Sequence, residues 1–99
     1  MSDPVIEAAI VMLEVPGVWI NQCPPSGSNR HCIITAVQCC ATTLKIANAE
    51  LSYSRIRSAL LGYSSKYAYG GITQFNDGCQ DVKFVIDLLS KAKDIVLES

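Results

Sequence analysis

ITQFNDGCQDVKFVIDLLSKAKDIVL, residues 72–97, is the stretch whose reading decides the fold. Its second part carries Val85, Leu88, Leu89, Ala92, Ile95 and Val96 at i, i+3, i+4, i+7, i+10 and i+11, and Lys83, Asp87, Ser90, Lys91, Asp94 and Glu98 take the opposite side. Apolar residues recurring at the helical period mark a surface helix that lays one face on a core. Asn76-Asp77-Gly78 reads as a turn ahead of that helix. Two carboxylates compete to cap it, Asp77 with Gln80 three residues on, or Asp81. Ile72 to Phe75 reads as a short extended arm.

Outward from this stretch, the rest of the chain is also helical in pattern. Asp3 is placed to cap a first helix, with Pro4 at the first helical position, where its missing N–H costs nothing. Val5, Ala8, Ala9, Met12 and Leu13 face inward, and Pro16-Gly17 stops the helix. Val18-Trp19-Ile20 is a second extended arm, leading into a turn-rich loop through Pro24-Pro25-Ser26-Gly27. From about Arg30 to Ala47 apolar residues go nearly all the way round, leaving Thr35, Gln38, Thr42 and Lys45 as a narrow polar stripe. That pattern predicts a buried central helix, capped by Ser28 or Asn29 and ended at Asn48. A third helix runs from about Ala49 to Gly62, with Ile56, Ala59, Leu60 and Tyr63 inward and Arg55 and Arg57 outward. Ser64 to Gly71 reads as a loop, its two glycines supplying unusual backbone angles. The expected architecture is one all-α domain over residues 1–99, with about four helices packed around the buried central one and two short extended arms.

Composition narrows the possible partners. Only 17% of the 99 residues are charged and 49% are hydrophobic. A typical chain carries about a quarter charged residues. Polar surface is therefore scarce, which predicts an apolar face covered by a second copy, a homo-oligomer. Between Val15 and Asn76 the basic residues Arg30, Lys45, Arg55, Arg57 and Lys66 stand against the single acid Glu50. A positive middle suits a small anionic ligand or an acidic protein surface. No dense run of Lys and Arg suggests a nucleic-acid groove. The apolar run Val5 to Leu13 is too short to span a bilayer and lacks the basic flank of a signal peptide, so no membrane is expected and a cytoplasmic location is. Five cysteines without framework spacing fit that reducing compartment.

Four marks together resemble a known family. They are Pro16-Gly17-x-Trp19 after a first helix, Cys32-Ile33-Ile34-Thr35-Ala36 opening a second, Phe75-Asn76-Asp77, and a last helix with Val85, Leu88-Leu89 and Ala92. Their order and spacing are similar to those of small bacterial and phage proteins grouped only as a domain of unknown function, in which Pro-Gly-x-Trp, Cys-x-x-Gly-Ala and aromatic-Asn-Asp segments recur. Here Thr35 stands where Gly is usual there, and Phe75 where Trp is usual. The resemblance spans about Val5 to Val96 and implies a phage or mobile-element source, and the expected target is a host protein or a small anionic ligand. It brings no established activity.

The candidate chemistry is sparse. Cys32 near the start of a helix is a possible thiol nucleophile, because the dipole favours the thiolate there. His31 beside it is a poor base, since adjacent helical residues diverge by about 100°. The cysteines and His31 lack the paired spacing of a zinc knuckle, so no metal or other cofactor is expected. Asn76 and Asp77 could present polar groups to a ligand, with Trp19, Tyr67 or Tyr69 stacking on a ring. Arg57 shares a helix face with Tyr53, four residues earlier, which places a cation beside an aromatic ring. The expectation is a non-enzymatic binding or regulatory protein that recognises its partner through Trp19, Tyr53, Arg55, Arg57, Asn76 and Asp77. The alternative is a small enzyme or ligand-pocket protein using Cys32 and Asp77.

Overall fold

The computed structural model describes residues 2–22, 29–46, 49–63 and 67–96, with backbone alone at 63 and 67–70. Five helices follow one another: α1 (Pro4–Glu14), α2 (Ile33–Thr43), α3 (Glu50–Tyr63), α4 (Tyr67–Gly78) and α5 (Val82–Ala92). The class is all-α, as the periodicity predicts. Among the described residues, extended pairing is limited to an isolated parallel bridge between Trp19 and His31.

Local chemistry sets the helix ends. The Asp3 carboxylate accepts the Val5 and Ile6 N–H groups, satisfying two donors that a helix start leaves orphaned, and Pro4 follows it. Of the two candidates ahead of the last helix, Asp81 is the cap and accepts the Lys83 N–H. Asp77 instead lies within α4. Helix α2 starts at Ile33 with Cys32 as its N-cap, later than the expected start at Arg30 and capped by neither Ser28 nor Asn29. Ser28 and Asn48 lie outside the described residues. The helix closes at Thr43, where Lys45 takes a left-handed φ of 59° and Ile46 N–H reaches back to Ala41 C=O.

The expected arm at Ile72 to Phe75 is helical. Ile72, Phe75, Asn76 and Cys79 are all buried, at i, i+3, i+4 and i+7, and that face packs inward as a helix despite a β-branched start. Gly71, with φ 67° and ψ −153°, breaks α4 ahead of this segment. That region of the backbone map is open to glycine almost alone. The pair Gly70-Gly71 therefore supplies a kink inside one helical element.

Principal packing contacts run in a circuit, α2 on α1, α1 on α5, α5 on α3, α3 on α4, and α4 back on α2. Each helix lends one face to the shared core. Ile6, Leu13, Ile33, Val37, Ile56, Leu60, Val85, Leu88 and Leu89 are fully enclosed there. Helix α2 buries Ile33, Ala36, Val37, Cys40 and Ala41, while Ile34 and, just beyond the helix, Leu44 and Ile46 are exposed. The expected helix buried all round is thus one-sided. Its outer apolar residues are surface, and what the composition left short of charge is visible there and at Leu51 and Leu61 of α3.

Lys45 offers a test of the α2 terminus. A left-handed backbone costs a residue with a Cβ roughly 1–2 kcal/mol, and glycine avoids most of it. Lys45→Gly should raise Tm by about 5 °C in a domain of this size. A lower Tm in that variant would mean that the lysine side chain itself holds the turn.

Candidate functional site

Site candidates from the sequence separate into two places. Arg55 is half-buried at the first. Its Nη1 meets the Asp3 carboxylate at 2.7 Å, and its Nε donates to Ile95 C=O at 3.0 Å. Ser52 Oγ donates to the same carboxylate oxygen at 2.8 Å. Asp3 is 3% exposed, so the pair ties α1, α3 and the segment after α5 together as a structural bond. Arg55 is therefore turned inward, contrary to the outward expectation. A groove of about 230 Å³ runs beside it, past Ile46 and Leu51. The polar groups of that groove already serve one another.

The second place is built around the start of α2. Asn76, 2% exposed on α4, accepts the Trp19 Nε1–H at 2.9 Å and the Ile33 N–H at 3.1 Å through one side-chain oxygen. Its amide donates to Ile20 C=O at 3.1 Å. The chain from Val18 to Ile20 is also laced to His31, through His31 N–H to Val18 C=O and Ile20 N–H to His31 C=O. The Trp19 indole N–H and Asn76 are thereby committed to each other, with the Trp19 ring partly exposed.

Next along α4, Asp77 is exposed and lines a cleft of about 150 Å³ with Cys32, Ile34, Thr35, Thr73 and Asn76. Helix geometry places Thr73 and Asp77 one turn apart on the same side. Tyr53 lies beyond Ile34, donating its hydroxyl to Ile34 C=O at 3.1 Å. Burial raises the Tyr53 phenol pKa, and negative charge on Cys32 and Glu50 adds to the rise against the lowering effect of Arg57. Arg57 itself sits 3.5 Å from Glu50 with both side chains exposed, an ion pair worth little in water. Most of the candidate residues thus gather on one side of the α2 start, and Arg55 does not join them. The side chains of Tyr67 and Tyr69 lie outside the described residues.

Thr35 is the residue that pattern reading passed over as one member of a polar stripe. Its hydroxyl accepts the Cys32 N–H at 3.0 Å, the role that Glu or Gln usually takes in a capping box. The same oxygen is 3.3 Å from His31 Nδ1 and 3.6 Å from Cys32 Sγ. Spacing of i, i+3 and i, i+4 from Cys32 and His31 was the available signal. A hydroxyl therefore stands between the thiol and the imidazole. Among the described residues no three His, Cys, Asp or Glu side chains gather as a metal site, and Cys23 is outside them.

Two measurements test this account. Asn76→Ala leaves the Trp19 and Ile33 N–H groups and the Ile20 carbonyl unpaired, so urea unfolding should show a loss of about 3 kcal/mol and Trp19 emission should shift to the red. Stability within about 0.5 kcal/mol of the unchanged protein would mean that water replaces the amide. The second concerns alkaline pH. Burial pushes the Cys40 and Cys79 thiols up, with Cys39 adding to the effect at Cys40. In the folded state these thiols keep protons that the unfolded chain loses above about pH 8.5, so stability is full below that pH and falls as pH rises through the folded pKa values. Replacing both by alanine should flatten the slope, and an unchanged slope would assign it to Tyr53, whose phenol burial also raises.

Compared with known proteins, the chain matches no protein-family model, no curated protein and no solved structure.

Proposed function

We propose that this is a non-enzymatic binding protein whose recognition site is the cleft between the first turn of α2 and the last turns of α4. One observation carries the reading. Two backbone donors at the α2 start are already used, Cys32 N–H by Thr35 Oγ1 and Ile33 N–H by Asn76 Oδ1. A thiol enzyme that attacks a carbonyl needs such donors for the oxyanion, and their loss costs about 10²–10³ in rate. What remains at the surface is a small recess with apolar walls, two hydroxyls and a carboxylate, which suits holding a group more than transforming it. The partner this reading expects is a host protein, and a phage or mobile-element source is what the resemblance of the Pro16-Gly17-x-Trp19 and Phe75-Asn76-Asp77 segments implies.

A second reading has its own observation. Thr35 Oγ1 bridges Cys32 and His31 at 3.6 and 3.3 Å, a path by which the thiol proton could pass to the imidazole, so a small thiol enzyme is the alternative. Alkylation of the native protein with iodoacetamide at pH 7 separates the two. The binding reading expects Cys32 to react no faster than glutathione, with Cys40 and Cys79 slower still because they are buried. Reaction at Cys32 more than about tenfold faster than glutathione, lost in Thr35→Val and in His31→Gln, would replace it with the enzyme.

A further inference from the structure

The charge around the cleft points to the class of group it holds. Asp77 stands near the C-terminal end of α4, where the helix dipole is negative and reinforces the carboxylate. Both arginines of α3 are engaged elsewhere, Arg55 on Asp3 and Arg57 on Glu50. Asp77 forms no ion pair with a cation among the described residues. The positive end of α2 adjoins the cleft, where two of its donors, the N–H groups of Cys32 and Ile33, are filled by Thr35 and Asn76 and so are closed to an anion. The remaining lining is apolar in the main, with the Thr35 and Thr73 hydroxyls as further acceptors.

We propose that this cleft binds a protonated primary amine on a short apolar stem, the stem lying against Ile34 and Thr73 and the ammonium meeting the Asp77 carboxylate. The proposal rests on the cleft being a binding site, as inferred above, and adds its charge preference. It reverses the anionic ligand that the positive middle of the sequence suggested. The physical reason is that the sequence counts charges, whereas the fold engages both α3 arginines with carboxylates away from the cleft. An alkylammonium comes from two sources, a free small amine or the side chain of a lysine on a partner protein, and both present the same chemistry to Asp77.

The test is a titration of ¹⁵N-labelled protein, at low salt and matched ionic strength, with n-butylammonium chloride, n-butanol, sodium butyrate and Nα-acetyl-lysine amide. Butylammonium should move the amide signals of Cys32, Thr35, Thr73 and Asp77 with a dissociation constant on the order of millimolar, since a four-carbon stem buries little surface. n-Butanol should bind at least about fivefold more weakly, and Asp77→Asn should bring butylammonium to the butanol level, the gap reflecting an exposed ion pair. Tighter binding of the lysine amide than of butylammonium assigns the group to a protein partner, and equal or weaker binding assigns it to a free amine. Butanol or butyrate binding as tightly as butylammonium at the same four signals would overturn the charge preference and leave the cleft a binding site. Absence of shifts at those signals with every probe would overturn both. Asp77 is exposed, so the variant is expected to keep the fold, which its own spectrum verifies.

Discussion

Everything at the α2 start depends on one buried primary amide. Asn76 has two hydrogen-bonding sides and uses both, the oxygen on Trp19 and Ile33 and the nitrogen on Ile20. A buried polar group without partners costs about 1–3 kcal/mol, so the amide fixes the distance between α4, α2 and the chain at Val18 to Ile20. No apolar residue could do this. Among the described residues of the segment before α2, pairing is limited to the Trp19–His31 bridge, and the carbonyl at Ile20 needs a donor. The cleft wall is the outer edge of that same arrangement.

A comparable bond closes the other side of the circuit. Asp3 caps α1, and its second oxygen takes Ser52 and Arg55, whose guanidinium also reaches the Ile95 carbonyl. Because Asp3 is nearly sealed from water, removing Arg55 would strand a charge, whereas the pair together costs little against an apolar substitute. The bond therefore specifies which helices meet more than it adds stability. The two polar nodes lie at different places on an otherwise apolar core and between them engage α1, α2, α3 and α4 directly. Helix α5 brings its apolar stripe and, just past its end, the Lys93 and Ile95 carbonyls taken by Asp3 N–H and Arg55.

How much of this was legible in the sequence follows from which signals are local. The α1 cap at Asp3-Pro4 and the α5 stripe through Val85, Leu88, Leu89 and Ala92 need only neighbours a turn away, and both stand as read. Ile72 to Phe75 was misread because a four-residue window cannot reveal the helical face completed by Asn76 and Cys79. The wrapped α2 failed for a related reason. A run of Cys, Ile, Val and Ala looks buried on every side, and only the circuit of helices decides that Ile34 points out and Ile33 in. At the candidate site, the sequence pairs Cys32 with Asp77 without a spacing that would join residues 45 apart, and the fold lines one recess with both. Arg55 was the opposite error, a charge assigned to the surface when its partner Asp3 lay 52 residues away.

Thr35 limits what the recess can do. A hydroxyl has one proton, and Thr35 meets three groups with it: Cys32 C=O, which accepts at 3.3 Å, His31 Nδ1 at 3.3 Å, which accepts only when its proton is on Nε2, and the thiol sulfur at 3.6 Å, which can donate or accept. Its oxygen is meanwhile held by the Cys32 N–H. For the thiol proton to travel to His31, the hydroxyl must turn its hydrogen away from the Cys32 carbonyl and accept from sulfur with its remaining lone pair. That leaves Thr35 donating to an imidazole while its capping bond persists. The relay is stereochemically complete, yet it delivers a thiolate to a helix start whose neighbouring amides are already occupied. Among the described residues that line the recess, Asp77 carries the one formal charge, so the chemistry there is governed by a carboxylate with an apolar floor beside it.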